Sequence, residues 1–347
     1  MTDLKSMTLE EITAALRAMG EPSFRGKQVF TWLHRGITDF DEMMNIPKSL
    51  REKLRAEYYI TVPTVARKQV SKLDGTIKYL WELQDGNCIE TVLMSYHHGN
   101  TVCISSQVGC RMGCKFCAST LGGRIRDLTS GEILSQVLKV NALHGGTPAK
   151  RQVTNVVLMG SGEPLDNYDN VVKFIRDMSA EGGINISPRN VSLSTCGLVP
   201  QMYSLAEEGL PVNLTVSLHN VTDEERARTM PIAKKYKISE ILDACTNYFN
   251  KTGRRYIFEY SLIEGENADE RHARALITLL KGRPCHVNLI RLNDVKERKL
   301  LAASERGAQT FLKILTDGGL SATLRRRMGA DIGGACGQLR AGYLAQQ

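Results

Sequence analysis

Three hydrophobic rhythms divide the 347-residue chain. Up to about residue 60 the apolar positions recur at helical spacing. Leu9, Ile12, Leu16 and Met19 share one face behind a capping-box pattern of Thr8 and Glu11, and Gly20 with Pro22 stops that helix. A second helix is expected through Phe24 to His34. A third begins at Pro47, a favoured first helical residue, with Leu50, Leu54 and Tyr58 on its apolar face. From Val62 to Ser106 the period drops to two. Asp74-Gly75, Asp85-Gly86 and Gly99-Asn100 punctuate the alternation, so this stretch reads as short antiparallel strands joined by hairpin turns, with His97 and His98 as turn residues.

After Cys117 the rhythm becomes strand, turn and helix. Thr129 to Glu132 caps a helix reaching His144, and VTNVVLM follows as a buried strand. NVSLST, NLTVSL, RYIFEYSL and HVNLIRL read as further strands. Helices are expected near residues 167–180, 200–208, 239–250, 269–281 and 305–317. With TVCIS as the first strand, this makes about six β/α repeats. Closing a barrel takes about eight, so the expected architecture is α/β, a partial (β/α)6 TIM-like barrel. The expected organisation is a helical accessory domain over residues 1–60, an antiparallel strand extension over 61–100, and the partial barrel over 101–347. Four polar motifs fall at the carboxyl ends of strands, the functional rim of such folds: Gly160 to Pro164, Ser194 to Gly197, Ser217 to His219, and Asn293. Their shared position points to one ligand site.

Composition narrows the setting. No run of about 18 apolar residues exists, and MTDLKSMTLEE carries acids where a signal peptide would be apolar, so the chain reads as cytosolic and without a membrane role. Nine cysteines, an odd number in a chain without secretory features, argue against a disulfide framework and for metal or catalytic use. Forty-five Lys and Arg against 37 Asp and Glu leave a formal charge of +8, which favours a polyanionic partner. Arg25, Lys27, Arg35, Lys48, Arg51, Lys53 and Arg55 either contact phosphates or form solvated helix faces balanced by neighbouring acids.

The chemistry concentrates between Cys103 and Ala118, CISSQVGCRMGCKFCA. Cys110, Cys114 and Cys117 stand as C-x3-C-x2-C, and three thiolates at that spacing suit zinc or an iron–sulfur cluster. A structural zinc site wants a fourth protein ligand, and no Cys or His follows within the next twenty-odd residues. A cubane held by three cysteines keeps one iron open. Two further residues invite attention. Cys336 sits between glycines in GGACGQL, where a loop brings a thiol close to a ligand, and Glu90 sits among apolar neighbours on a strand, where a carboxylate more often faces solvent. A non-catalytic RNA-binding protein stabilised by zinc remains a competing reading.

The three-cysteine motif with Phe116 before its last cysteine resembles the signature of radical S-adenosylmethionine enzymes. More narrowly, CISSQVGCRMGCKFCASTLGG resembles the bacterial dual-specificity ribosomal and transfer RNA adenine-C2 methyltransferases, and the similarity returns along nearly the whole chain. That resemblance implies a [4Fe-4S] cluster on Cys110, Cys114 and Cys117, with two S-adenosylmethionine molecules used per turnover. It implies cofactor contacts at Gly162, Glu163, Ser194, Ser217, Leu218, His219 and Asn293. It makes Cys336 the methyl carrier, Glu90 the proton acceptor, and Cys103 the thiol that releases product and forms a disulfide with Cys336. The implied substrates are 23S rRNA at the peptidyl transferase centre and tRNA next to the anticodon; a reductant such as flavodoxin and a monomeric state are expected. It also implies RNA recognition by the N-terminal domain. Arg325 to Arg327 are candidates for phosphate contact, while Cys88, Cys196, Cys245 and Cys285 read as structural. The adenine-C8 methyltransferases of antibiotic resistance share the cysteines but tend to read CATG and GEAL where this chain has CASTLGG and GEPL. Ser161, where many relatives carry Met, and the missing Pro after Asn293 depart from the family pattern.

Overall fold

The computed structural model describes residues 1–97 and 99–339; His98 lies outside them. A short strand, β1 (Thr2–Asp3), pairs in parallel with β2 (Tyr58–Tyr59), and helices α1 (Leu9–Ala18), α2 (Phe24–His34) and α3 (Lys48–Glu57) lie between them in the chain. The capping box forms as expected: the Glu11 N–H donates to Thr8 Oγ1 at 3.2 Å and the Thr8 N–H donates to Glu11 Oε2 at 2.8 Å. Leu4, Ile12, Phe30, Leu33, Leu50 and Leu54 help form a core of their own. The basic residues on this unit are largely committed to acids. Lys27 pairs with Glu181, Lys48 with Glu52, Arg51 with Asp41, Lys53 with Glu21 and Arg55 with Asp39 and Asp41, while Arg35 lies 4.3 Å over the Trp32 ring. These faces carry surface ion pairs.

The second rhythm becomes strands β3 (Thr64–Val70), β4 (Ile77–Glu82), β5 (Cys88–Tyr96) and β6 (Gly99–Cys103), paired antiparallel in sequence order. The turn expected at Gly99-Asn100 falls earlier: both residues already sit in β6, opposite Tyr96 and Ser95. A two-stranded ribbon, β7 (Gln107–Gly109) with β8 (Arg124–Asp127), brackets the cysteine loop. Then come α4 (Ser130–Leu143), β9 (Val153–Leu158), α5 (Tyr168–Ser179), β10 (Val191–Thr195), α6 (Val199–Glu207), β11 (Asn213–Ser217), α7 (Asp223–Thr229) and α8 (Ile238–Thr252). The chain continues through β12 (Tyr256–Leu262), α9 (Glu270–Leu280), β13 (Cys285–Arg291), α10 (Glu305–Asp317) and β14 (Ala322–Leu324). Strand order is β14-β13-β12-β11-β10-β9-β6-β5-β4-β3 in one open sheet. Every pairing from β14 to β6 is parallel, which gives the partial barrel of β/α repeats, extended by the short β14 beyond the six expected strands. β6 pairs with β9 on one side and β5 on the other, so the antiparallel strands continue the same sheet.

Burial explains the elements. Val156, Leu158, Val191, Leu193, Leu214 and Val216 are almost fully buried, as both-sided burial of parallel strands under helices requires. α7 escaped expectation because DEERART has no apolar stripe; its hydrophobic anchor is absent, and Thr222 caps it instead. Among the described residues, no helix is long and apolar enough to cross a membrane.

Candidate active site

The cysteine loop is shaped by backbone bonds. The Cys110 N–H donates to Gly123 O at 3.0 Å, across the β7–β8 ribbon, and the Lys115 N–H donates to Thr229 O at 2.8 Å. Thr120 Oγ1 donates to the carbonyls of Cys114 and Cys117 at 3.0 and 2.9 Å and accepts from Arg298. Cys110, Cys114 and Cys117 thereby line one cavity, open on one side. Gly162, Glu163, Ser194, Ser217, His219, Asn293 and Cys336 line the same cavity, so the polar motifs at the strand ends do converge. Leu218 does not join them. Its side chain is fully buried in the core, and only its backbone reaches the site region, through a carbonyl that accepts from Arg226 Nε at 3.1 Å.

Each polar wall has a specific support. Gly162 has φ +111°, and a Cβ there would lie 2.7 Å from the backbone nitrogen of Gln107, so the turn into Glu163 needs glycine. Glu163 is buried, its Oε1 accepting the Leu165 N–H at 3.1 Å and its Oε2 the Cys196 N–H at 2.7 Å. Burial raises its carboxyl above the usual range, and those N–H donors pull it back down. His219 adopts φ +57°, stacks edge-on against Phe116 at 4.7 Å, and accepts the Ser261 N–H on Nδ1 at 2.9 Å. Burial holds the ring down to about 3, so it is neutral with its proton on Nε2.

The donor set suits a cluster. Burial pushes Cys110 up to about 12 and raises Cys114 and Cys117 too, so these thiols lose their protons to a metal more readily than to water. Arg226 of α7 is fully buried beside Cys114. It donates to the carbonyls of Cys196, Leu218 and Ser217, while its Nη1 is buried without a partner. A buried guanidinium beside Cys114 is matched by an anionic thiolate–cluster assembly. Among the described residues no three His, Cys, Asp or Glu side chains gather as a site for a single metal ion, whereas a cubane takes each thiolate on a different iron.

A second cavity lies next to the first. Cys336 lines both, and in the second it faces Cys103, Arg325, Met159 and Tyr96. The expected Cys103–Cys336 disulfide is not formed: none of the nine cysteines is in a disulfide. Burial holds Cys103 up to about 12 and the neighbouring Cys336 adds to the shift; Cys336 is raised by burial and lowered by Arg325. Arg325, a candidate for phosphate contact by sequence, is paired inside the protein. It lines the second cavity together with both thiols, its Nη1 3.2 Å from Oε1 of Glu259 of β12, and Cys336 is the foremost reason its guanidinium is raised. Glu259 and Ser261, which line the first cavity from β12, were missed on reading YIFEYSL as a plain buried strand; the polar alternation within it was the available signal. Glu90 opens into a third cavity, with Lys78 Nζ 2.9 Å from its Oε1. Lys78 and Cys103 both pair with Val92 across the sheet, so Glu90 shares a face of β5 with Val92 and with those two neighbours. Cys196 lines the first cavity, whereas Cys88, Cys245 and Cys285 are buried elsewhere.

Residues 2–60 match the family model described as the ribosomal RNA large subunit methyltransferase N-terminal domain, and residues 104–276 match that of the radical SAM superfamily. The crystal structure of a radical SAM methyltransferase from Sphaerobacter thermophilus superposes with a TM-score of 0.93 at 42% identity, covering 98% of this chain and 99% of that one. Three cysteines around one cavity and these matches define a radical SAM methyltransferase, a class that uses a [4Fe-4S] cluster and S-adenosylmethionine. The protein named "Probable dual-specificity RNA methyltransferase RlmN" of Lachnoclostridium phytofermentans is 52% identical over 342 residues, which is 98% of this chain and 95% of that protein. The protein of the same name from Clostridium botulinum is 52% identical over 347 residues, 100% of this chain and 99% of its own length. The chain belongs to the dual-specificity RNA methyltransferase RlmN family and is an S-adenosylmethionine-dependent RNA methyltransferase.

Proposed function

We propose that this enzyme methylates C2 of one adenine in 23S rRNA, at the peptidyl transferase centre, and of one adenine in tRNA next to the anticodon, through a methyl group carried on Cys336. The observation that carries the reading is that the Cys336 loop forms a wall of all three cavities. Cys336 and Gly337 line the first, Ala335 and Cys336 the second, and Ile332 and Gly333 the third. The Cys336 sulfur thus borders the cofactor cavity and the Cys103 cavity, and the loop that carries it borders the cavity of Glu90.

Adenine C2 is an electron-poor aromatic carbon with an unreactive C–H, which an electrophilic methyl group does not attack; a carrier is needed. The Cys336 thiolate attacks the methyl carbon of S-adenosylmethionine, forming an S–C bond as the sulfonium bond breaks and S-adenosylhomocysteine leaves. Arg325 favours that thiolate electrostatically. The cluster, when bound and reduced, supplies one-electron cleavage of a second S-adenosylmethionine. Cys110, Cys114 and Cys117 hold the cluster, and Glu163, Ser194, Ser217, the His219 Nε2–H and Asn293 bind and orient the cofactor beside Gly162. The backbone at Leu218 shapes that wall. Glu90, positioned by Lys78, takes the C2 proton, and Cys103 is the thiol that releases methylated RNA. Residues 1–60 and 61–100 act as RNA-recognition and strand-extension units of residues 101–347. A reductant such as flavodoxin, action in the cytoplasm and a monomeric state complete the proposal.

The test is mass spectrometry of 23S rRNA and tRNA from deletion and complemented cells, which separates 2-methyladenosine from the 8-methyladenosine of the C8 enzymes. Cys336→Ala abolishes methylation, and Cys103→Ala leaves enzyme covalently joined to RNA. Methylation by Cys336→Ala would sink the carrier mechanism.

A further inference from the structure

Apart from Lys78, which positions Glu90, the β3–β4 hairpin has no part in the chemistry above, yet it holds the segment leading to Cys336 at several points. Asp331 Oδ1 accepts the Ser71 hydroxyl at 2.7 Å, and its Oδ2 accepts the Lys72 N–H at 2.9 Å. In return, Asp74 Oδ2 accepts the Gly329 N–H at 2.9 Å, while its Oδ1 accepts the Thr76 N–H at 2.9 Å and closes the turn. Lys78 Nζ donates to Gly333 O at 3.3 Å. The contact is close: a Cβ at Gly329 would lie 2.9 Å from Thr76 Cγ2, and φ is +62° there and +60° at Gly333.

Beyond Cys336 the chain is tied to the cofactor side instead. The Ala118 N–H donates to Gly337 O at 2.7 Å, Ser119 Oγ donates to Leu339 O at 2.8 Å, and Asn293 Nδ2 donates to Cys336 O at 3.0 Å. The thiol-bearing loop is therefore slung between two anchors, one on the cluster loop and one on a hairpin more than two hundred and fifty residues away in sequence.

We propose that the β3–β4 hairpin is a clamp, in which Asp331 and Asp74 are positioning residues that set the Cys336 sulfur on the boundary between the cofactor cavity and the Cys103 cavity. The physical reason is that Gly329, Gly333, Gly334 and Gly337 leave this loop few side chains of its own to pack. Its order has to come from outside, and charge-assisted hydrogen bonds donated by backbone N–H groups to two carboxylates supply it. Where the sulfur stands matters because a displacement of about 1 Å from the attacking geometry costs about a hundredfold in rate. The clamp rests on the reading of Cys336 as methyl carrier only for its consequence, not for its existence.

The experiment uses full-length, cluster-loaded protein under anaerobic conditions. Asp331→Ala and Asp74→Ala are compared with wild type for the rate at which iodoacetamide alkylates Cys336, with buried Cys245 as reference, and for S-methylation of Cys336 in a single turnover with S-adenosylmethionine. Loss of either carboxylate raises Cys336 alkylation by about tenfold and slows methyl loading by about tenfold, as local opening of the loop requires. Asp331→Asn, which can still accept from Lys72 and meet Ser71, restores both within about twofold. Unchanged Cys336 alkylation in both alanine variants overturns the clamp. So does a parallel rise at Cys245, which would mean general loosening. Faster Cys336 alkylation with undiminished RNA methylation keeps the clamp and refutes the carrier role.

Discussion

Replacing Arg325 by methionine tests whether the boundary between the two thiols is electrostatically built. Arg325 Nη1 stands 3.2 Å from Glu259 Oε1, and the two side chains are 22% and 7% exposed. At an effective dielectric of about 20, unit charges at that separation attract by about 5 kcal/mol. Removing one partner of such a buried pair costs about 3–5 kcal/mol, because the other charge is left in a poor solvent. The loss depends on pH with a definite sign. Burial already raises the Glu259 carboxyl and Arg325 holds it down, so without Arg325 it rises further. A carboxyl raised above its unfolded value keeps a proton in the folded state that the unfolded chain releases. Stability therefore falls as pH climbs from the unfolded to the folded value. Arg325→Met is expected to melt close to wild type near pH 5 and lower by about 6 °C or more near pH 8, by circular dichroism of cluster-loaded protein. Adding Glu259→Gln recovers most of the loss, since a neutral amide needs no counter-ion. A single variant that melts within about 2 °C of wild type near pH 8, or one that Glu259→Gln does not rescue, would refute the pairing argument.

Three further outcomes are expected. Gly162→Ala, with φ +111° and a Cβ 2.7 Å from the Gln107 nitrogen, destabilises the protein by about 2 kcal/mol or more and weakens S-adenosylmethionine binding, measured by melting and calorimetry; an unchanged melt and affinity would contradict the tight turn. Asp177 on α5 is buried with its Oδ2 unpartnered and is pushed up to about 7, chiefly by burial. Asp177→Asn therefore gains nothing near pH 4 and stabilises progressively to about 4 kcal/mol above about pH 7, and a gain independent of pH would argue against a buried acid there. Cys114→Ala removes the brown visible chromophore of the anaerobic protein and its methyltransferase activity while leaving helical circular dichroism; a persisting chromophore would place the cluster elsewhere.

Helix and strand existence was legible because each rests on local periodicity. The capping boxes at Thr8 and Thr129 formed as read, and all five strands expected after Cys117 appear where their apolar runs lie. The three cluster cysteines and the strand-end motifs were legible for a related reason: β/α topology delivers every strand end to one rim, so sequence order alone sends them together. Leu218 shows the limit, since a motif that lines a site contains residues pointing the other way. α7 and the role of Arg226 had no periodic signal, because a seven-residue helix with one buried cation has no apolar face to betray it.

By itself, then, the sequence determined the repeats, the rim and the cysteine triad, all properties of short segments and of their order. Tertiary structure alone decided what crosses long gaps. It set Arg325 in one cavity with Cys103 and Cys336 and gave it Glu259 as counter-ion, gave Glu90 its Lys78, left the two sulfurs unbridged, and hung the Cys336 loop from a hairpin whose turn sequence reads only as a turn. These are pairings of side chains distant in the chain, and nothing local in either partner specifies the other; only packing of the whole sheet brings them within a hydrogen bond.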